Sequence, residues 1–384
     1  MIAFDKTLLE NTILVESAQD LKDGKFISKD QFQATKDAFP TLKTNRNLFM
    51  RIAFLLLGAF CYSSCTGVFA LLFLSSGADQ YEVMLVLLAV LGGVASEMLA
   101  RNNFYAHGLD DAAIYGFLFA LGSASSALSD STLAMLAVMA VASALCAIRY
   151  LNTICVVVSI LSVVAFIGEV TFTNSLIPEF YLTIVLFVFA IGLFFLHRNL
   201  EKHELAKFYA VPLQALQLCA LLIAYFSMNY LVVRELAQNM MRFVVEPGSD
   251  IPMSYVFYFM TFAIPLAYMF FGIKRREKLM LWVGIFTMGF AVFTFRYYYH
   301  ILPTEVALLF GGSALLALVL VIIRKLKGVE SGITFEKDRM HDSNALSVAQ
   351  AVIVNSHAVQ QVPAGSPMEF GGGGFSGGGA GEGF

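Results

Sequence analysis

Charge is scarce in this sequence: acidic and basic residues make up 14% of it, where soluble domains carry roughly a quarter. A formal net charge of -3 leaves no bulk basicity to draw nucleic acid, and no nucleic-acid partner is expected. Catalytic signatures are missing too. "HRNLEKHE" has the wrong order for a helical HExxH metal pair, and no Gly-rich loop runs into Lys-Ser or Lys-Thr to hold a phosphate. There is no nucleophile elbow. No nucleophile–base pair and no metal or cofactor set can be named, so the chain is expected to be non-enzymatic and without a cofactor. The opening "MIAFDKTLLENTILVESAQD" has acids where a signal peptide has positive charge and lacks a continuous apolar core. Insertion is therefore expected to rely on the first apolar span. The five cysteines, Cys61, Cys65, Cys146, Cys155 and Cys219, all sit in apolar runs and are expected as free thiols. Cys61 and Cys65 share a helix face; with no His or acid within a turn they read as small core residues rather than metal ligands.

What the sequence has in excess is apolar length. It is 58% hydrophobic, with mean hydropathy +0.73, and the excess falls in runs of about 20 residues, the length that crosses a bilayer. The expected fold is an all-α polytopic transmembrane helix bundle of ten spans, over residues 52–75, 82–99, 112–128, 132–147, 153–170, 179–196, 210–232, 254–273, 279–298 and 304–323. Only "IRYLN" separates the fourth from the fifth. Fusing them would leave nine spans and put the termini on opposite sides. Basic residues argue against fusion. Lys36, Lys43, Arg46 and Arg51, then Arg101, Arg149, Arg198, Lys202 and Lys207, then Lys274, Arg275, Arg276 and Lys278, then Arg324, Lys325 and Lys327 fall on one side of a ten-span alternation. The other side holds Arg234, Arg242 and Arg296. The positive-inside rule then places both termini in the cytoplasm of a multi-pass protein of the cell inner (plasma) membrane.

Two soluble pieces flank the spans. Residues 1–50 read as a cytoplasmic helical hairpin. Its first helix, about residues 4–21, should bury Leu9, Ile13, Leu14, Ala18 and Leu21 on one face, with Gly24 in a left-handed turn after it. Ser28 and Gln31 form a capping box for the second helix, with Ile27 and Phe32 as the hydrophobic staple, and Pro40 ends it. The tail, 326–384, closes on "FGGGGFSGGGAGEGF", which cannot bury a core and is expected to be disordered.

Two polar clusters are candidate sites. On the outer side Glu169 and Arg296 are expected at similar depth, joined by Arg234 and Asn229, since ionised groups within a span need partners. Tyr297 and its two tyrosine neighbours read as an aromatic belt, with Arg296 reaching for headgroups. On the inner side Glu97 and Arg101 lie one helical turn apart. Asp110 is expected to cap the third span, with Asp111 adding favourable charge. Glu97, His107 and Asp110 are the residues a proton relay would use. Capping and anchoring account for both clusters without an activity. Pro265 should kink the eighth span, and the Gly pairs of "LLAVLGGVAS" and "LLFGGSALLA" suit close helix packing.

The pattern "LKDGKFISKDQFQAT" ahead of many spans, with "RYYYHILPTEVALLFGGSALL" near the end, resembles bacterial polytopic membrane proteins of the domain-of-unknown-function 2157 type. Those carry a short N-terminal helical unit with a G-x-I-S-x-x-Q flavour. They often have a tryptophan-rich first span, whereas the single tryptophan here is Trp282. The resemblance implies no activity and transfers no site residue. The expectation is a membrane scaffold, sensor or assembly factor, with the bilayer as one partner and a cytoplasmic protein bound through the N-terminal unit or the tail. A secondary transporter or channel for a small solute or ion is the alternative.

Overall fold

The structure is a computed structural model, and it describes residues 2–73, 79–173, 181–239 and 250–299, with isolated positions 313, 316, 320, 324 and 327. The tenth expected span and the tail lie outside the described residues but for those positions. Among the described residues every regular element is helical, with one isolated bridge between Lys43 and Phe104. In hydrocarbon a backbone that bonds within its own segment is the economical solution.

The N-terminal helices are α1 (Lys6–Asp23) and α2 (Lys29–Ala38). The spanning elements are α3 (Leu48–Phe73), α4 (Asp79–Arg101), α5 (Leu109–Ser129), α6 (Thr132–Tyr150), α7 (Thr153–Phe172) and α8 (Leu182–Leu200). They continue with a 3-10 turn (Glu204–Tyr209) leading into α9 (Ala210–Met228), then α11 (Ser254–Arg275) and α12 (Lys278–Tyr299), with the short α10 (Tyr230–Asn239) following α9. Nine helices among the described residues are long and apolar enough to cross a membrane. Sequential helices pair as the hairpins α4–α5, α6–α7, α8–α9 and α11–α12. The α3 helix lies on α5, and α7 packs on α9, joining the first five spans to the rest. Gly92 permits the tight α4–α5 contact: a Cβ there would stand 2.8 Å from the Phe117 Cα.

The fourth and fifth spans are separate helices. Leu151 takes a left-handed conformation (φ 53°) and Asn152 caps α7 through the Cys155 amide, 3.1 Å away. The seventh span departs from expectation. It is not continuous over 210–232 but breaks at Asn229, whose extended backbone (ψ 127°) separates α9 from α10. Hydropathy runs smoothly through this point; the break follows from an amide whose hydrogen bonds are satisfied sideways. The cysteine expectation also needs correction in part. All five are unpaired, but Cys61 and Cys65 are exposed on α3 rather than in the core.

The N-terminal unit is docked on one end of the bundle. Asp5 caps α1, and Ser28 with Gln31 forms the expected capping box on α2. Two local details differ. Gly24 is right-handed, and Lys25 takes the left-handed position (φ 63°), because α1 runs two residues further than its apolar pattern. The buried face of α1 is Leu9, Thr12 and Ala18, while Ile13 and Leu14 are exposed. Thr12 is turned inward because its hydroxyl accepts from the Leu42 amide (3.0 Å). Phe4, Leu9 and Leu42 pack with Ala100 in the last turn of α4, Leu151 in the α6–α7 turn and Phe208 in the 3-10 turn before α9. Burying a Leu or Phe side chain from water stabilises by roughly 1.5–3 kcal/mol, so this cluster holds the unit by several kcal/mol. Backbone bonds fix the register: Ala3 N–H to Arg149 O (2.9 Å), Lys43 N–H to Asn103 O (2.8 Å) and Tyr105 N–H to Lys43 O (3.2 Å).

Candidate functional site

Polar side chains concentrate in four networks, three at the end that carries the N-terminal unit and one at the opposite end. The first is centred on Asp111. As the third residue of α5 it points into the bundle, 4% exposed. Its carboxylate accepts from Arg51 Nε and a terminal guanidinium nitrogen, both at 2.7 Å, and from Asn152 Nδ2 at 2.8 Å. Asn152 contacts Tyr115 Oη (3.3–3.4 Å) while capping α7. One carboxylate thus ties α3, α5 and the start of α7. Its neighbour Asp110 does not cap α5 as expected. It reaches back to accept from the His107 and Gly108 amides (3.0 and 2.9 Å), and Gly108 stands at the N-cap without a side-chain bond. The cause is Gly108 itself. Its φ of 110° turns the chain so tightly that a Cβ would lie 2.2 Å from the Arg51 carbonyl oxygen.

The second network contains the expected Glu97–Arg101 pair and adds a stronger partner. Arg149 from α6 grips both Glu97 oxygens at 2.7–3.0 Å, while Arg101 reaches one at 3.4 Å and is 76% exposed. The bidentate fork is the stronger bond, and the single 3.4 Å contact from Arg101 is the weaker one. No bond joins Glu97 to His107 or Asp110 among the described residues. His107 is wedged between Phe54 and Phe104 (ring centres 4.4 and 5.0 Å), and its Nδ1 has no hydrogen-bond partner there. The relay expected from Glu97, His107 and Asp110 is therefore not assembled.

The third network went unnoticed in the sequence. Arg198, near the end of α8, pairs with Glu277 in the α11–α12 turn, and Glu277 also accepts from Gln217 Nε2 of α9 (3.1 Å). A lone acid within "KRREK" and a lone amide in an apolar helix were its available signals.

At the opposite end Asn229, fully buried, donates to Tyr225 Oη (2.9 Å) and Thr294 Oγ1 (3.1 Å) and accepts from the Val232 amide (3.3 Å). The Tyr230 amide freed by the break donates to Thr261 Oγ1 (3.0 Å). Tyr230 donates to Asp250 (2.7 Å), accepts from Arg234 (2.8 Å) and stacks on Tyr258 at 4.0 Å. Arg234 also lies 4.6 Å over the Tyr298 ring. The expected grouping of Glu169, Arg296, Arg234 and Asn229 is not formed. Glu169 accepts from Thr173 (2.8 Å), and Arg296 makes no ion pair with any described residue. Tyr297 is exposed as a belt residue should be, but Tyr298 is half-buried and donates to Glu235 (3.2 Å). Tyr225 and Asn229, one turn apart, were the readable signal for this network.

Among the described residues no three His, Cys, Asp or Glu side chains are grouped to hold a metal ion. Between α8, α9, α11 and α12 lies a cavity of about 180 Å3 with almost wholly apolar walls. The chain matches no family model, no curated protein and no solved structure in comparison.

Proposed function

We propose that the protein is a non-enzymatic membrane scaffold or assembly factor, multi-pass in a bacterial inner membrane with both termini cytoplasmic, that presents its N-terminal hairpin to a cytoplasmic protein. The observation that carries this is the way the hairpin is held. The α1 helix is bonded and packed onto the bundle, whereas α2 buries none of its residues. Exposed Ile13, Leu14, Phe26 and Phe39 leave apolar contact area on the same unit. A rigidly oriented, unburied amphipathic helix is suited to partner recognition. The bundle's polar groups bond chiefly to one another, which suits a structural membrane domain.

A photo-crosslinking residue at Gln33 in living cells tests the reading. The expected result is a discrete protein adduct that disappears when Phe26 and Phe39 are changed to serine. Adducts to lipid alone, or adducts indifferent to those substitutions, overturn it.

The break at Asn229 favours a second reading, a transporter or channel, because discontinuous helices line solute sites in such proteins. On that reading a cysteine at Thr294 would react with water-soluble thiol reagents. On the scaffold reading, Thr294 is sealed and stays unlabelled.

A further inference from the structure

The apolar cavity and the third polar network form one continuous amphipathic feature. Ala190, Ala220, Ala224 and Ala267 leave the space, and Ile191 on the rim is exposed. The hydroxyl of Tyr268, the one polar side chain in the wall, is committed to the Leu221 carbonyl at 2.9 Å. At about 180 Å3 the space exceeds the roughly 150 Å3 apolar cavity that stays dry and accepts benzene. A polar solute has nothing to bind in it.

One end of this space is cationic. Arg198 lies one turn beyond Phe194 of the wall, with its guanidinium 5.3 Å from that ring centre. Gln217 precedes Ala220 by three residues and Glu277 precedes Met280 by three, so the network caps the same end. Arg275 follows Tyr268 by seven residues on the same face of α11. Arg198 Nε and the adjacent His197 Nδ1 are buried without a hydrogen-bond partner among the described residues. In the two connections and at the helix ends beside them Arg198, Lys202, Lys207, Lys274, Arg275, Arg276 and Lys278 outnumber the acids Glu201, Glu204 and Glu277, of which Glu201 and Glu277 pair with Arg198.

We propose that this feature is a binding site for an anionic membrane phospholipid. Part of one acyl chain, a few methylenes long, lies in the cavity of about 180 Å3 and the phosphate sits among Arg198, Arg275 and their basic neighbours. The apolar walls select a hydrocarbon chain, and the surplus of cations selects a negative headgroup over a zwitterionic one. This rests on the membrane-spanning bundle and is independent of the scaffold proposal.

The test uses the full chain purified in neutral detergent. Native mass spectrometry and thermal unfolding are followed as phosphatidylglycerol or phosphatidylcholine with identical chains is added. The expected result is one retained phosphatidylglycerol per chain. Each basic side chain near an anionic headgroup favours binding about fivefold, so Arg275→Gln lowers affinity about fivefold while Lys6→Gln on α1 leaves it unchanged. Ala224→Leu fills the cavity and abolishes the retained lipid. Ala267→Leu, nearer the surface, serves if that variant does not fold. Equal affinity for the two lipids, full binding by Arg275→Gln, or a lipid still retained after the cavity is filled overturns the proposal.

Discussion

Removing Arg51 should harm this protein more than removing Arg51 and Asp111 together. Arg51→Met leaves a carboxylate that is 4% exposed with only Asn152 for support, and breaking a buried pair from one side costs about 3–5 kcal/mol. Asp111→Asn is milder. The Arg51 side chain is 38% exposed and can swing toward headgroups, so the loss is mainly the charge assistance of its bonds, about 2 kcal/mol. The double variant has neither a stranded charge nor a charged bond. It should cost about 2 kcal/mol, the lost bonds alone, against some 5–7 for the sum of the singles, because no carboxylate is left buried and unpaired. Reversible unfolding in mixed micelles, titrated with a denaturing detergent and followed by far-ultraviolet circular dichroism, measures all three. Additive losses would show that Asp111 and Arg51 are not coupled and would refute the network.

Three further outcomes are expected. Gly108→Ala forces a shift against the Arg51 carbonyl and a backbone conformation (φ 110°) that costs about 1–3 kcal/mol for an L residue; hydrogen exchange at the Lys43 and Tyr105 amides should accelerate in parallel. Asn229→Leu strands Tyr225, Thr294 and the Val232 amide and should destabilise by about 3 kcal/mol, read as a lower unfolding midpoint, with no change sinking the idea that the break is held by this amide. The Thr7 and Leu8 amides donate to Asp5 and hold its carboxyl below the usual range. A depressed carboxylate pKa stabilises above the unfolded value, near 3.8, and that support is lost as pH falls through the folded value. Exchange protection of the first turn of α1 should therefore drop on acidification below about pH 4, and Asp5→Asn should flatten the profile.

The parts of this fold readable in the sequence are those governed by a single local variable. Apolar run length placed the nine spans among the described residues, and Arg149 within "IRYLN" marked the α6–α7 turn. Ser28 and Gln31 announced their capping box three residues apart. Choice among partners was not readable. Glu97 has Arg101 one turn away on its own helix, yet it bonds bidentately to Arg149, far away in sequence. Asp110 and Asp111 are adjacent and identical in type, but 100° of helix rotation sends one back over Gly108 and the other to Arg51 and Asn152. Hydropathy could not see the break at Asn229, because one amide among apolar residues barely changes the average.

The placement of these networks has a physical logic. Lipid tails are as apolar as leucine, so no hydrophobic force tells one spanning helix which neighbour to choose; close packing and polar bonds must do it. Close packing forms the sequential hairpins here. Each polar network then joins helices that are not sequential neighbours: α3 to α5 and α7 through Asp111, α4 to α6 through Glu97, α8 and α9 to the α11–α12 turn through Glu277, and α9 to α12 through Asn229. A hairpin shifted by one residue would carry its carboxylate about 100° around the helix, away from its arginine. The wrong register is therefore penalised by an unpaired charge. Of the candidate clusters read from the sequence, Glu97 and Asn229 belong to the bonds that give this bundle one arrangement, and together with Asp111 and Glu277 they fix the platform on which α1 and α2 stand.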